Sequence, residues 1–307
     1  YPKDPDGAVP IAYLWARTVT CEGPGCGAEV PLMRSLWLAK KSRRSVALKF
    51  IPDPAKKRVD FQIVPDVKAQ DVGEGTVRRG SATCPVCGYT TPVASVRKQL
   101  KARRGGAADA RLFCVVTTKP GQQGRFYRLP TERDLEAVSR AAEELERRKA
   151  EHKGALSLVP DEPLPPQGTL GFRVQLYGME EWGDLFTPRQ ALALTTLVRL
   201  VREAGERMQA KGDSGIATSL QACLALAVDR MVDKNASLTV WNTVGEKIEH
   251  VFGRQALPMT WDFPEVGIFS DSTGNWMSHI NLVSKGIDFN AFLFSKNQGF
   301  VESTSAT

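Results

Sequence analysis

Apolar and polar positions alternate with a period of two through much of the first 130 residues. Val46, Leu48 and Phe50 fall on one side of an extended segment, as do Val59, Phe61 and Ile63. Between them Asp53-Pro54-Ala55-Lys56-Lys57 has turn chemistry, so residues 45–51 and 58–65 are predicted to form a hairpin. Residues 11–20, rich in aromatic and β-branched side chains, read as a strand, and residues 30–38 as the strand that pairs with it, covered on both faces. A Gly/Asp loop over 71–75 returns the chain through an extended stretch at 76–83, and residues 111–118 and 124–129 read as two more strands.

Helical signals take over further on. Residues 93–104 predict a short basic helix that stops at Gly105-Gly106. Thr131 with Asp134 three residues later has the spacing of a capping box and opens a helix to about His152, whose Glu/Arg-rich surface reads as a solvated connector. Pro160, Pro163, Pro165 and Pro166 exclude a helix or a central strand over 156–168, and the main boundary is placed there. Thr187-Pro188 then caps and starts a helix through Leu192, Leu194, Leu197, Leu200 and Val201 to about Lys211. A second helix over 214–234 completes an αα-hairpin about Gly212 and Gly215, and beyond Leu238 aromatic clusters between Gly and Pro predict loops. The expected class is α+β: a β-rich domain over 1–130, a helical connector with a Pro-rich linker over 131–168, and a mainly helical region over 169–307.

With 307 residues and 42% hydrophobic composition the chain is long enough to bury a sizeable core. It has no run of 18 apolar residues and no signal-peptide pattern, which predicts no membrane partner and a reducing, cytoplasmic setting. A start at Tyr1 without Met and a polar tail read as a piece of a longer protein. The net charge of +7 hides an asymmetry: residues 1–130 hold 23 Lys/Arg against 10 Asp/Glu, a balance of +13 that leaves −6 for the rest. Such a field is the footprint of a nucleic-acid surface, or a solvated face with no partner.

The basic half also holds two cysteine pairs, Cys21-Glu22-Gly23-Pro24-Gly25-Cys26 and Cys84-Pro85-Val86-Cys87-Gly88. Gly and Pro make each a tight knuckle that could aim two thiolates at one tetrahedral Zn²⁺, and four thiolates close the shell, which marks a structural ion. Unrelated free thiols, disulfides, or a thioredoxin-like redox pair at Cys84 and Cys87 are the alternatives; Cys114 and Cys223 lie in apolar runs and read as core. The sequence contains no G-x-x-x-x-G-K-S/T phosphate loop and no G-x-S-x-G nucleophile elbow. His152, His250 and His279 are scattered, and His279 near Ser270 and Asp271 reads as a satisfied surface residue.

Several stretches resemble the adenine-specific DNA methylases that contain a zinc ribbon. They include residues 11–19 leading into Cys21 and Cys26, Pro31-Leu32-Met33-Arg34-Ser35-Leu36-Trp37-Leu38, the second knuckle, and Gly171-Phe172-Arg173-Val174-Gln175-Leu176-Tyr177-Gly178-Met179. Asp184-Leu185-Phe186-Thr187-Pro188-Arg189-Gln190, residues 252–263 and residues 269–276 extend it over most of the chain. The resemblance implies methyl transfer from S-adenosylmethionine to the amine of adenine in double-stranded DNA, on a fold with a Rossmann-like part. The family's D-P-F-x-G-G-G cofactor turn and D/N-P-P-Y base-holding loop are absent from this sequence, so no catalytic or cofactor residue carries over. The ligands Cys21, Cys26, Cys84 and Cys87 do. Arg43, Arg44, Lys56, Lys57, Arg58, Arg103 and Arg104 are the candidate phosphate contacts. A non-enzymatic zinc-ribbon module, an assembly subunit of a DNA modification or defence complex, and an RNA-directed ribbon protein remain open alternatives.

Overall fold

The computed structural model describes residues 1–296 apart from Ser42, Arg43, Asp213, Arg254, Asp271 and Thr273. In chain order its first part comprises β1 (Val9–Ala16), β2 (Thr18–Thr20), β3 (Glu29–Pro31), β4 (Trp37–Lys41), β5 (Arg44–Asp53) and β6 (Arg58–Pro65). Then come β7 (Val77–Arg78), β8 (Ser81–Thr83), β9 (Thr90–Thr91), α1 (Val93–Lys101), β10 (Arg111–Lys119) and β11 (Gln122–Arg128). The remainder holds α2 (Glu132–Glu151), α3 (Pro188–Gln209), α4 (Ser214–Lys234), β12 (Trp241–Asn242), β13 (Lys247–Ile248), β14 (Asp262–Val266) and α5 (Trp276–Lys296). The class is α+β, with antiparallel pairing throughout except for one parallel contact between Glu29 and Arg58 among the described residues.

β1 is the axis of the molecule. It lies between β10 and β14 in an antiparallel sheet of order β11-β10-β1-β14. Both of its faces are covered, so its sequence is a continuous apolar run. Ile11, Ala12, Leu14 and Ala16 enter the main core with Leu38, Val46, Leu48 and Phe113, while Tyr13 and Trp15 face a second cluster with Leu112, Val115 and Phe263. The main core continues into α3 and α4 through Leu194, Leu197, Val201, Val228 and Met231. Strands and helices from both sides of the Pro-rich segment therefore share one sheet and one core among the described residues.

The expected hairpin is present: β5 and β6 pair in register from Val46 with Pro65 to Asp53 with Arg58. So are the helix expected over 93–104, which ends at Lys101, both strands after it, the capping box of Thr131 with Asp134, and the αα-hairpin of α3 and α4. The strand expected over 11–20 breaks at Arg17. Its fully buried guanidinium donates to the carbonyls of Gly105 at 2.7 Å, Thr260 at 2.9 Å and Ser237 at 3.1 Å, and to Ser237 Oγ at 2.8 Å. Residues 30–38 are not one strand, because the Thr76 hydroxyl inserts between the Met33 N–H (2.9 Å) and the Pro31 carbonyl (2.5 Å). Residues 76–83 fold into a short hairpin, β7 with β8, whose turn places Arg79 and Gly80 at positive φ.

The loops expected beyond Leu238 contain β14 and α5. Pro264 argues against a central strand, but β14 is an edge strand, where a missing N–H costs no ladder bond. α5 opens on Asn275, whose Oδ1 accepts from the Ser278 N–H at 2.6 Å. His279, in its first turn, is 4% exposed and its Nε2 finds no partner, so the surface reading of that histidine does not hold. Among the described residues α4 alone has the length and apolar composition to cross a membrane, and it buries Ala217, Ala227, Val228 and Met231 inside this fold. At the head of α3 the Thr187 side chain accepts from the Gln190 N–H, which returns the bond through its own side chain to Thr187. Thr187→Ala is expected to cost about 1 kcal/mol by urea denaturation, the usual value of a lost N-cap.

Candidate metal centre and its basic surroundings

The two knuckles close two hairpins. The first joins β2 to β3 and the second joins β8 to β9. In the first, Gly25 and Gly27 take positive φ, and in the second Gly88 does, so each chain reversal needs a residue without a Cβ. Cys21 N–H donates to the Ala28 carbonyl at 2.8 Å and Cys84 N–H to that of Tyr89 at 2.9 Å, which locks the base of each loop. The β5–β6 hairpin is inserted between the knuckles in the chain, and its turn residue Lys57 accepts from the Glu29 N–H at 2.8 Å beside the first.

α1 fixes the approach of the first knuckle. Gln99 Oε1 accepts from the Thr20 N–H at 2.7 Å, while its Nε2 donates to the Thr20 carbonyl at 3.0 Å and to Glu22 at 3.1 Å. One side chain thus acts as a strand partner for β2. Nothing in the local sequence singles out Gln99; only the docking of α1 gives it this work. Val96 and Leu100, on the side of α1 that adjoins Gln99, are fully buried with Val19, Val30 and Leu32.

The four expected ligands converge. Their sulfurs all lie within 4.8 Å of one another, with Cys21 Sγ 3.6 Å from Cys87 Sγ and Cys26 Sγ 3.9 Å from Cys84 Sγ. A regular tetrahedron of metal–sulfur bonds near 2.3 Å sets its sulfurs about 3.8 Å apart, so the set fits an ion of that size. It does not fit disulfides, whose sulfurs would sit at about 2.05 Å, and all six cysteines are free. Nor does it fit a thioredoxin-like pair, since Cys84 and Cys87 sit in an antiparallel hairpin and not at the head of a helix in a βαβ unit.

Backbone donors surround the sulfurs. The Gly23 N–H points at Cys21 Sγ at 3.3 Å. Burial nevertheless pushes the Cys21 thiol up to about 12, and raises that of Cys84 against the N–H groups of Cys87 and Val86. The N–H of Tyr89 lowers the Cys87 thiol. Buried thiols that resist ionisation on their own, beside N–H groups that favour thiolates, are a donor set that a cation would complete. Gly23 is where the knuckles meet: a Cβ there would stand 2.8 Å from Tyr89 Cβ and 3.1 Å from Cys87 Sγ. Gly23→Ala is accordingly expected to weaken metal retention at least tenfold in a chelator competition while leaving the secondary structure intact.

The basic candidates fare unevenly. Arg44 lies against Glu246 at 3.3 Å and donates to the Arg125 carbonyl, with its guanidinium 5.8 Å from the Tyr127 ring. Arg58 pairs with Asp60 at 2.5 Å, and Arg103 with Asp109 at 2.6 Å while also donating to the Thr18 carbonyl. Arg104 is held between Asp184 and Glu181, each at 2.6 Å. These four guanidiniums have carboxylate partners inside the chain. Lys56 pairs with Asp53 at 3.3 Å on the exposed hairpin tip, and Lys57 beside it makes no ion pair among the described residues. Arg43 lies outside the described residues. Arg78 and Arg79 on the β7–β8 turn, and Lys98 and Lys101 of the basic helix α1, are not among the seven candidate contacts, yet they are exposed and make no ion pair among the described residues.

Comparisons with protein-family models, with curated proteins and with solved structures return no match.

Proposed function

We propose that the chain is the metal-bound, DNA-contacting portion of an adenine-specific DNA methyltransferase, with a structural Zn²⁺ held by Cys21, Cys26, Cys84 and Cys87 in a ribbon of two hairpins. The observation that carries the reading is the meeting of four sulfurs at tetrahedral spacing in the half of the chain with a +13 balance. Bound there, the ion supplies no chemistry of its own and joins two hairpins that are otherwise far apart in the chain. Unpaired cations on the same elements, Lys57 beside the first knuckle and Lys98 and Lys101 on the helix that clamps it, supply the attraction for phosphates. The methylase part of the reading rests on the resemblance of the stretches around the knuckles, Thr187-Pro188 and Trp261-Asp262-Phe263. S-adenosylmethionine and the remaining subunits or segments of the modification system would complete it, in the reducing cytoplasm where four thiols persist.

Binding to duplex DNA is expected to weaken with salt, with a slope that falls by about 0.9 for each phosphate contact removed. Replacing Lys57, Lys98 and Lys101 by alanine together should flatten the slope by two to three units on that scale. Arg104→Ala, which removes a residue already held by two carboxylates, should leave it unchanged. An unaltered slope in the triple variant, or equal preference for RNA, removes the DNA assignment. Binding of labelled S-adenosylmethionine to the intact protein separates the enzyme from a non-enzymatic binding module.

A further inference from the structure

A cavity of about 230 Å³ opens on the side of the main sheet where β4, β5 and the segment before β14 come together. Trp37, Trp241 and Trp261 line it, over a floor that includes Leu14, Leu48 and Phe113. Two of the indoles are fixed in place: Trp241 Nε1 donates to the Leu38 carbonyl at 2.8 Å, and Trp261 stacks edge-on against Tyr177 at 5.3 Å. Asp262 is the one carboxyl among the lining residues. The Arg34 N–H donates to its Oδ1 at 3.2 Å, it makes no ion pair among the described residues, and burial pushes it up to about 6. At the mouth the Arg34 side chain is exposed and likewise free of ion pairs among the described residues, and Lys40 Nζ lies 5.4 Å from the Trp37 ring.

Each of these parts has a chemical counterpart. Fixed aromatic faces stack on planar heterocycles and tolerate any base. A carboxylate accepts from an exocyclic amine, whereas the carbonyl oxygens that flank the ring N–H of uracil repel it. An exposed guanidinium binds phosphate in a fork. We propose that this cavity receives the amine-bearing base of a nucleotide, stacked among the indoles with its amine on Asp262 and its phosphate on Arg34. The source of that nucleotide is either a free mononucleotide or an unpaired base of a single strand. No cysteine lines the cavity, so the proposal stands apart from the metal reading.

Tryptophan fluorescence of the intact chain, titrated with AMP, adenosine and a short single-stranded oligo(dA), tests it. Saturable quenching by AMP is expected. Arg34→Ala should weaken AMP binding about tenfold, the value of one charge-assisted contact, and leave adenosine unchanged. Asp262→Asn should narrow the preference for AMP over UMP, because the new amide can donate to a ring carbonyl as well as accept from an amine, a shift that a merely structural role would not produce. Tighter binding of oligo(dA) than of AMP identifies a strand as the source, and the opposite order identifies the free nucleotide. Absence of saturable quenching with AMP, CMP and oligo(dA), or quenching indifferent to both variants while near-ultraviolet dichroism stays native, overturns the proposal and leaves the metal centre untouched.

Discussion

If Cys21, Cys26, Cys84 and Cys87 hold zinc as proposed, changing Cys84 and Cys87 together to serine is expected to release about one ion per chain and to unfold the lobe around the two knuckles. Structural zinc sites of this kind contribute about 10–16 kcal/mol in small peptides, more than the whole stability of most domains. The lobe has little else. Its buried set is Val19, Cys21, Ala28, Val30, Leu32, Ala82, Cys84, Val96 and Leu100, joined by Tyr177 and Trp261, and two of its members belong to the cysteine cluster. β7, β8 and β9 contain two or three residues each, too short to persist without a tie. The main sheet and the core shared with α3 and α4 contain no ligand, so they should survive. Metal analysis with hydrogen exchange gives the readout: loss of the ion, loss of protection over residues 18–32 and 76–104, and retained protection in β1 and β10. A metal-free double variant with native protection throughout would show that the sulfurs meet without need of an ion.

Arg189→Met should be the most damaging substitution away from the cysteines, costing about 3–5 kcal/mol in urea denaturation, because it strands a buried charge. Glu265 is 0% exposed, and its carboxylate receives Arg189 Nε at 2.7 Å and Nη2 at 3.2 Å. Trp15 Nε1 at 2.9 Å and the Tyr1 hydroxyl at 2.8 Å complete its contacts. The guanidinium sits 4.1 Å from the centroid of Tyr13 and 4.8 Å from that of Tyr1, where the ring faces take the place of water. Its Nη1 finds no conventional acceptor, which fits a charge satisfied by aromatic faces. The pair ties the first turn of α3 to β14 across the face of β1, so its loss reaches the central sheet. Arg189→Met combined with Glu265→Gln should regain much of the loss, since the amide oxygen can accept from Trp15 Nε1 while the amide nitrogen donates to the Tyr1 hydroxyl oxygen, and no lone charge remains. Equal destabilisation in single and double variants would assign the cost to lost packing.

Local pattern sufficed where neighbours in the chain decide the outcome. Alternation at Val46, Leu48, Phe50 and at Val59, Phe61, Ile63 foretold the β5–β6 hairpin, because a period of two leaves one face to bury. Thr131 with Asp134 and Thr187 with Pro188 marked two helix starts, because an N-cap is satisfied within four residues. The glycines and prolines of the two knuckles likewise announced four sulfurs in pairs.

Contacts between distant residues were decided by the assembled fold. Cys21 stands opposite Cys87 and Cys26 opposite Cys84 because α1 packs against both β2 and β8, and that docking comes from burial of Val96 and Leu100. Pro264 forbids a central strand and allows an edge one, and only the pairing of β14 with β1 makes it an edge. The basic residues tell the same story: Arg44 is neutralised by Glu246, and Arg104 by Asp184 and Glu181, so charge counted along the chain overstates the charge offered to a partner. Sequence determined the hairpins, the helix starts and the thiol pairs, since these depend on dihedral preference and periodicity over a few residues. Which thiols meet, which cations stay free and where the aromatic cavity opens depended on long-range burial and on Coulomb partners far away in the chain, and those exist only once the core has formed.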